Sequence, residues 1–428
     1  MPAPARTAQT LDLTVTSLGG LGDGLSTHEG VNAYVPFGLP GEKLRCHITR
    51  RNRHGIWADI DAVLEPSADR VAAPCRHFGS PGDACGGCSL QHMSPPAYAA
   101  FKQQLVEKSA ARFPGVHILP LEQTGPHGRR RASFKVRAGK LGVEIGFYAG
   151  DSHHLVALKE CPVLEPAIEN ALPMFAQALS RLSVTPQELS VALLDSGLDV
   201  MIRADVSPSL ADNAELSQMA EKLDLARLSW DDGYGASPLL SRRPARVRFG
   251  EVDVEAPPGS FLQASGRGQK AITAHVRAFA NEAKYVTDLF SGCGTYSFPL
   301  SSIANVTAYE GDGAMVEAAT RAANAHGLSG KVEFYKRNLA HSPVLRHELK
   351  RCDTVIINPP RGGASEQMMA LSASMVKRIV MVSCNPASFV RDAKLLTEGG
   401  YALRVLVGID QFHWSSHLEL VALFMKES

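Results

Sequence analysis

Cys384 lies in Ser383-Cys384-Asn385-Pro386, directly after the apolar run Ile379 to Val382. That run reads as a buried parallel strand, so the thiol stands at its carboxyl end, the edge where open α/β sheets bind ligands. A thiol there, ahead of a helix N-terminus, is expected to have a lowered pKa and to act as a thiolate nucleophile. Glu419, in His417-Leu418-Glu419-Leu420, enters another apolar run, which is an unusual place for a surface carboxylate. The plainer readings are an inert buried thiol and a salt-bridged strand-end carboxylate. A third element, Asp288-Leu-Phe-Ser-Gly-Cys-Gly-Thr295, marks a strand-to-helix turn in which Gly292 and Gly294 let the backbone approach a ligand. Ser297 stands where a dinucleotide fingerprint has its third glycine. Glu310, at the next strand end, could accept hydrogen bonds from both ribose hydroxyls of a nucleoside cofactor, S-adenosylmethionine or NAD. These groups suit one reaction. Carbon 5 of uracil is too weak a nucleophile to attack a sulfonium methyl group, but a thiolate added at carbon 6 gives carbon 5 carbanion character. A base must afterwards remove the carbon 5 proton so that the thiol can leave.

Other residues bear on cofactors and partners. Asn338 follows the third strand of the same region and could bond an adenine edge or simply cap a turn. Asn358-Pro359-Pro360-Arg361 sits at a further strand end, where Arg361 could hold a phosphate or carbonyl. Cys75, Cys85 and Cys88, with Cys161 later in the chain, supply four thiols, which suit zinc or an iron-sulfur cluster. Cys46, Cys293 and Cys352 read as packing or loop thiols. Arg129, Arg130 and Arg131 precede a strand whose alternation places Arg131, Ser133, Lys135 and Arg137 on one face, a stripe able to track phosphates. Arg45, Arg50, Arg51, Arg53 and His54 add positive charge near the N-terminus, so two basic stretches point to an RNA partner.

Three regions must position these residues. The 428-residue chain is 45% apolar with 44 Lys+Arg against 43 Asp+Glu, the composition of a multidomain globular protein. A net charge of +1 says nothing about partners. No apolar run is long enough to span a bilayer and the N-terminus has no apolar signal core, so a cytoplasmic protein is expected. Residues 1–8 are Pro-rich and read as a loose end. Residues 9–65 alternate with period two between Gly and Pro turns, the pattern of a small antiparallel β-barrel. Residues 66–260 mix strands and helices as an α+β region containing the cysteine loop and a helix over 96–113 that could pack on the last domain. In residues 261–428, strands expected at 285–290, 306–310, 332–335, 354–358 and 379–384 alternate with helices, and runs at 403–409 and 418–424 close the chain without one. That layout belongs to a Rossmann-like class I methyltransferase more than to a dehydrogenase.

Taken together, the motifs resemble the RNA uracil-5-methyltransferase family over nearly the whole chain. The segment from Leu13 to Ile48 is similar to the TRAM module, an OB-like RNA-binding barrel, and CGGCSLQH to the family's iron-sulfur segment. GSFLQAS, DLFSGCGTYSFPL, NPPRGG, VSCNPASF and DQFHWSSHLEL match catalytic-domain motifs in order. The resemblance implies that Cys384 is the nucleophile and Glu419 the base. It also implies that S-adenosylmethionine is held by Gln263, Phe290, Gly292, Gly294, Glu310, Asn338 and Asn358. Cys75, Cys85, Cys88 and Cys161 would ligate a [4Fe-4S] cluster, with zinc as the alternative. A TRAM module with a cluster implies 23S ribosomal RNA as substrate, acted on by a monomer. A transfer RNA enzyme, or an RNA-binding assembly factor that keeps the fold, is the alternative. The chain departs from the family where Ser265 replaces Asn, Asn358 replaces a frequent Asp, His413-Trp414 replaces Pro-His, and the gap from Cys75 to Cys85 is enlarged.

Overall fold

The computed structural model describes residues 9–79, 84–140, 142–150 and 152–427. The N-terminal segment 1–8, part of the cysteine loop and Leu141 lie outside the described residues. Contacts group the chain into two compact units. One comprises Met1–Lys102, Ile145–Pro162 and Phe412–His417; the other comprises Gln103–Glu144, Val163–Gln411 and Leu418–Ser428.

The first unit is built on a sheet ordered Thr10–Thr14, Lys43–Asn52, Gly55–Glu65, Val31–Val35, Gly24–His28 and Ser17–Leu18. Period-two patterning puts Leu11, Leu13, Val15, Ala33, Val35, Leu44, Cys46, Ile56 and Ala58 into one core. Burial raises the Cys46 thiol to about 12, as suits a packing residue. On this sheet Arg50 lies 3.9 Å above the Trp57 ring, and Trp57 stacks on Tyr34 at 4.9 Å. The helix expected over 96–113 runs Pro95–Ala110, and its residues up to Lys102 belong to this unit. Lys102, fully buried, donates to the His417 carbonyl at 2.5 Å.

The second unit holds two main sheets. Strands Arg131–Gly139, Glu188–Leu194, Gly197–Arg203, Arg227–Asp231 and Ala236–Ser241 lie side by side in that order. Glu188–Leu194 and Gly197–Arg203 form the expected hairpin, closed where Leu194 pairs with Gly197. In the other sheet the order is Val332–Lys336, Asn305–Glu310, Tyr285–Leu289, Thr354–Ile357, Arg378–Ser383, Glu419–Lys426 and Tyr401–Asp410, the class I methyltransferase order. The first five are mutually parallel and Glu419–Lys426 is antiparallel. Short strands His117–Ile118 and Glu122–Gln123, which have little sequence signal, pair with Tyr401–Asp410. Near-continuous apolar runs are explained by burial on both faces: Ile272, Val276, Tyr296, Ile356, Val380, Val382, Val407 and Val421 share one cluster. No helix is long and apolar enough to cross a membrane among the described residues.

The helix Pro386–Glu398 begins where the Cys384 loop ends. Asn385 is its N-cap, accepting from the Ala387 amide at 3.0 Å, and Pro386 occupies the first turn, where a missing N–H costs nothing. Phe389 anchors this helix, fully buried, with its ring 6.5 Å from that of Phe424. Phe389→Ala should therefore destabilise the second unit by about 3–5 kcal/mol. Urea titration monitored by circular dichroism checks this; a midpoint equal to that of the unmodified protein would refute it.

Candidate active site

Backbone conformation shapes the loop after Leu289. Phe290 has φ 61°, Gly292 φ 57° and Gly294 φ 92°, so the turn runs through left-handed geometry three times. At Gly294 the requirement is also steric, because a Cβ there would come within 2.6 Å of the Phe298 ring. A Cβ on Gly292 would meet nothing within 4 Å, leaving the space beside the loop open to a ligand. Glu310 is fixed at the neighbouring strand end by backbone amides. Its Oε2 accepts from Gly292 at 2.9 Å, and its Oε1 from Gly311 at 2.7 Å and Asp312 at 3.0 Å. Asp288, fully buried, accepts from Ser297 Oγ at 2.6 Å. Burial pushes its carboxyl up to about 7 against that hydrogen bond, with the Glu310 charge adding. The other Asp288 oxygen and the Ser291 hydroxyl have no partner among the described residues. Open space, a held carboxylate and unpartnered polar atoms fit a nucleoside cofactor.

Asn358 follows Thr354–Ile357 and its amide donates to the Leu289 carbonyl at 3.2 Å, which keeps it beside the loop. Asn338 is different. Its side-chain oxygen accepts from the Ala340 amide at 3.1 Å and its carbonyl takes the His341 and Ser342 amides, so the structure shows the turn-capping reading.

Cys384 and Glu419 are brought together by strand register. The antiparallel pair Arg378–Ser383 and Glu419–Lys426 ends with Ser383 opposite Leu420, so Cys384 and Glu419 come next. Glu419 is only 3% exposed. Burial pushes its carboxyl up to about 8, opposed by a hydrogen bond from Gln411 and by the Arg131 charge. Gln411 Nε2 donates to Glu419 Oε1 at 2.9 Å and to Gln263 Oε1 at 2.7 Å. Gln263 Nε2 in turn faces the Tyr296 hydroxyl at 3.2 Å. The expected lowering of the Cys384 pKa is corrected: burial raises it, the Glu419 charge adds to the rise, and Arg361 opposes both. A helix N-terminus does not offset desolvation beside a second acid. Arg361 reaches the same loop through its carbonyl, which accepts from Asn385 Nδ2 at 3.3 Å and Ser388 Oγ at 3.1 Å.

The basic stripe is also revised. Alternation is as expected, with Ala132, Phe134 and Val136 buried between Arg131, Ser133, Lys135 and Arg137. Lys135 is paired with Glu188 at 2.5 Å and Arg137 with Glu144 at 2.9 Å. Arg131 lies over the Phe261 ring at 4.7 Å, within reach of the Glu419 charge. Arg130 is buried and donates to the Gln263 carbonyl at 3.0 Å and to Gln269 Oε1 at 2.5 Å, so it clamps the segment carrying Gln263 instead of facing a phosphate. Arg129 Nε is used on the Arg131 carbonyl at 3.1 Å. Ser265, at the departure from Asn, caps the helix Gly266–Phe279 by accepting from the Gly268 amide at 3.2 Å.

Gln411 and Tyr296 join the site without a prior assignment. Both lie inside motifs that carried other residues, Gln411 one step past the strand end at Asp410 and Tyr296 just past the glycine loop; nothing but their buried polarity beside those motifs marks them.

The four cysteines belong to the first unit and none is in a disulfide. Gly86 is required by close approach, since a Cβ would lie 2.9 Å from the Gly150 amide nitrogen. Burial raises the Cys88 thiol to about 12, a hydrogen bond with Gln91 opposes this, and Cys161, Cys85 and Cys75 are near enough to add to the rise. Four thiols in one neighbourhood are soft donors of the kind that suit zinc or an iron-sulfur cluster. Among the described residues no three His, Cys, Asp or Glu side chains already stand in a metal-holding arrangement.

The Glu419 environment gives a signed expectation. Its carboxyl ionises near 4.5 when unfolded and near 8 when folded. The stability tied to its proton is full below the first value and lost as pH rises through the second. Glu419→Gln mimics the neutral form at every pH, so its stability relative to the unmodified protein should increase between about pH 5 and about pH 9. Urea midpoints at both pH values check this, and a constant difference would contradict it.

Comparison with known proteins follows the same geometry. The family described as tRNA (uracil-5-)-methyltransferase matches residues 251–427. An RNA methyltransferase of Caulobacter vibrioides is 37% identical, over 97% of this chain and 100% of its own length. The 23S rRNA (uracil(1939)-C(5))-methyltransferase of Shewanella baltica is 32% identical over 97% of this chain and 95% of its own. The crystal structure of Pyrococcus abyssi tRNA (uracil-54, C5)-methyltransferase with S-adenosyl-L-homocysteine covers 96% of this chain and 99% of its own, with TM-score 0.72 and 22% identity, and shares the fold. With the paired thiol and buried carboxylate at its sheet edge, this chain belongs to the RNA (uracil-5-)-methyltransferase family.

Proposed function

We propose that this protein methylates carbon 5 of a uridine in 23S ribosomal RNA through a covalent adduct between Cys384 and carbon 6. The observation that carries the reading is the placement of Cys384 opposite Glu419, whose Oε2 is buried with no hydrogen-bond partner among the described residues. S-adenosylmethionine, when bound, supplies an electrophilic methyl group. Gln263, Phe290, Gly292, Gly294, Glu310, Asn338 and Asn358 would hold it, Asn338 with its side-chain oxygen also capping a turn. The Cys384 thiolate adds to carbon 6 and makes carbon 5 nucleophilic. Once carbon 5 carries the methyl group, Glu419 removes its proton and the thiolate leaves. Because burial holds the thiol up, adduct formation should accelerate as pH rises.

The Shewanella baltica relative supports ribosomal RNA, since its likeness runs through the N-terminal sheet and the cysteine segment as well as the catalytic region. We assign 9–65 as a TRAM-like RNA-binding barrel, 66–260 as the middle domain and 261–428 as the catalytic domain. Tyr34, Trp57 and Arg50, with exposed Arg51 and Arg53, offer a base-stacking and phosphate-binding surface on the barrel. Cys75, Cys85, Cys88 and Cys161 would hold a [4Fe-4S] cluster that stiffens the polypeptide around the cysteine loop, because methyl transfer moves no net electrons to an outside acceptor.

The reading is tested with purified protein, labelled S-adenosylmethionine, and transcripts of 23S ribosomal RNA and transfer RNA. 5-Methyluridine should appear in the ribosomal transcript, and Cys384→Ala should abolish it. Methylation confined to the transfer RNA transcript would reject the assigned substrate, and a methyl group on nitrogen would reject the mechanism. Anaerobically purified protein should carry iron and sulfide in equal amounts; zinc without sulfide would reject the cluster.

A further inference from the structure

Gln411 is 4% exposed, and its side-chain amide meets three different partners. The Ser265 backbone N–H, which can only donate, faces its Oε1 at 3.4 Å. That contact settles which way round the amide sits. Its Nε2 must then supply both Gln263 Oε1 and Glu419 Oε1, at 2.7 and 2.9 Å. With its oxygen engaged, Gln263 turns its own Nε2 to Tyr296. Gly268 packs closely against Gln411, since a Cβ there would lie 2.6 Å from the Gln411 Cβ. One oxygen of Glu419 is thus tied to a fixed donor, and Oε2 is left buried and without a partner among the described residues. The other groups facing this carboxylate are Arg131 from the strand Arg131–Gly139, Cys384 from the loop after Arg378–Ser383, and Tyr296 ahead of the short helix Ser297–Leu300.

We propose that Gln411 is a positioning residue for proton removal: it holds Glu419 Oε1, presents Oε2 to the carbon 5 proton, and ties the base to Gln263. This rests on the covalent reading above. In the step concerned the carbon 5 to hydrogen bond breaks and Oε2 takes the proton. The electron pair forms the double bond between carbons 5 and 6, and the sulfur of Cys384 leaves carbon 6 as thiolate. A donor on Oε1 favours the ionised carboxylate that this step needs. Losing the donor leaves Glu419 protonated to higher pH and unable to accept.

Gln411→Met keeps length and apolar volume and removes the donor. With a 23S ribosomal RNA transcript and S-adenosylmethionine, the variant should form the Cys384 adduct at close to the normal rate. It should release methylated RNA about tenfold more slowly near neutral pH, with the midpoint of the release profile moved up by about one pH unit. Gln411→His, which retains an N–H donor, should restore much of the release rate. Release by Gln411→Met with an unchanged pH midpoint overturns the proposal, whatever the total activity. If Gln411→Met forms no adduct, Gln411→His must recover both adduct and release, and its failure to do so overturns the proposal as well. Glu419→Gln separates the two levels of inference: a trapped adduct upholds the covalent reading even where Gln411 fails its test, and no adduct ends both.

Discussion

The catalytic unit is organised around one unfavourable act, the burial of the Glu419 carboxyl at the start of a central strand. An isolated carboxylate in that position would be too costly, so the proton stays on to about pH 8 and the surroundings supply partial compensation. Gln411 donates a hydrogen bond and Arg131 contributes charge. Both must be held in turn. Gln411 is clamped by Ser265 and the Gly266–Phe279 helix, and the segment bearing Gln263 is pinned by Arg130. The polar layer beneath the site is therefore continuous, and each member has its hydrogen-bonding role set by its neighbour.

Sheet topology makes this layer possible. The antiparallel insertion of Glu419–Lys426 beside Arg378–Ser383 places the beginning of one strand next to the end of the other. A wholly parallel sheet would set ends beside ends, and Glu419 would then lie at the opposite edge from Cys384. Tyr401–Asp410 brings Gln411 to the same edge from the outer side, since Ile409 pairs with Glu419. The Cys384 thiol and the Glu419 carboxyl thus share one edge as a consequence of strand order.

Much of this was legible in the residues. The apolar runs before Ser291, Asn358 and Cys384 located three strand ends of one sheet edge, because fully buried parallel strands need continuous apolar sequence. Glu419 stood out for the complementary reason, a charge among apolar neighbours. Arg130 was misread because charge in a basic run resembles a solvated surface; only tertiary packing shows that its guanidinium is spent on Gln263 and Gln269. The Cys384 pKa went the same way, since a helix N-terminus is visible in sequence and desolvation is not. Gln411 was hidden because a neutral amide has no pattern of its own. Short strands such as His117–Ile118 were also out of reach, being held by their partner strand alone.

The raised pKa values of Cys384 and Glu419 have a common consequence for the proposed reaction. Each negative charge makes the other harder to form, because the two groups share one desolvated pocket. The site favours a single negative charge at a time. Because the Glu419 charge pushes the Cys384 thiol up, the thiolate forms more readily while Glu419 is protonated. When sulfur becomes a neutral thioether in the adduct, that repulsion is gone and the carboxyl can ionise, the form required to take the carbon 5 proton. Taking that proton neutralises Glu419 just as the departing thiolate regains its charge. Repulsion between the two groups thereby couples the two proton-dependent steps, with Arg361 biased toward the thiolate and Arg131 toward the carboxylate.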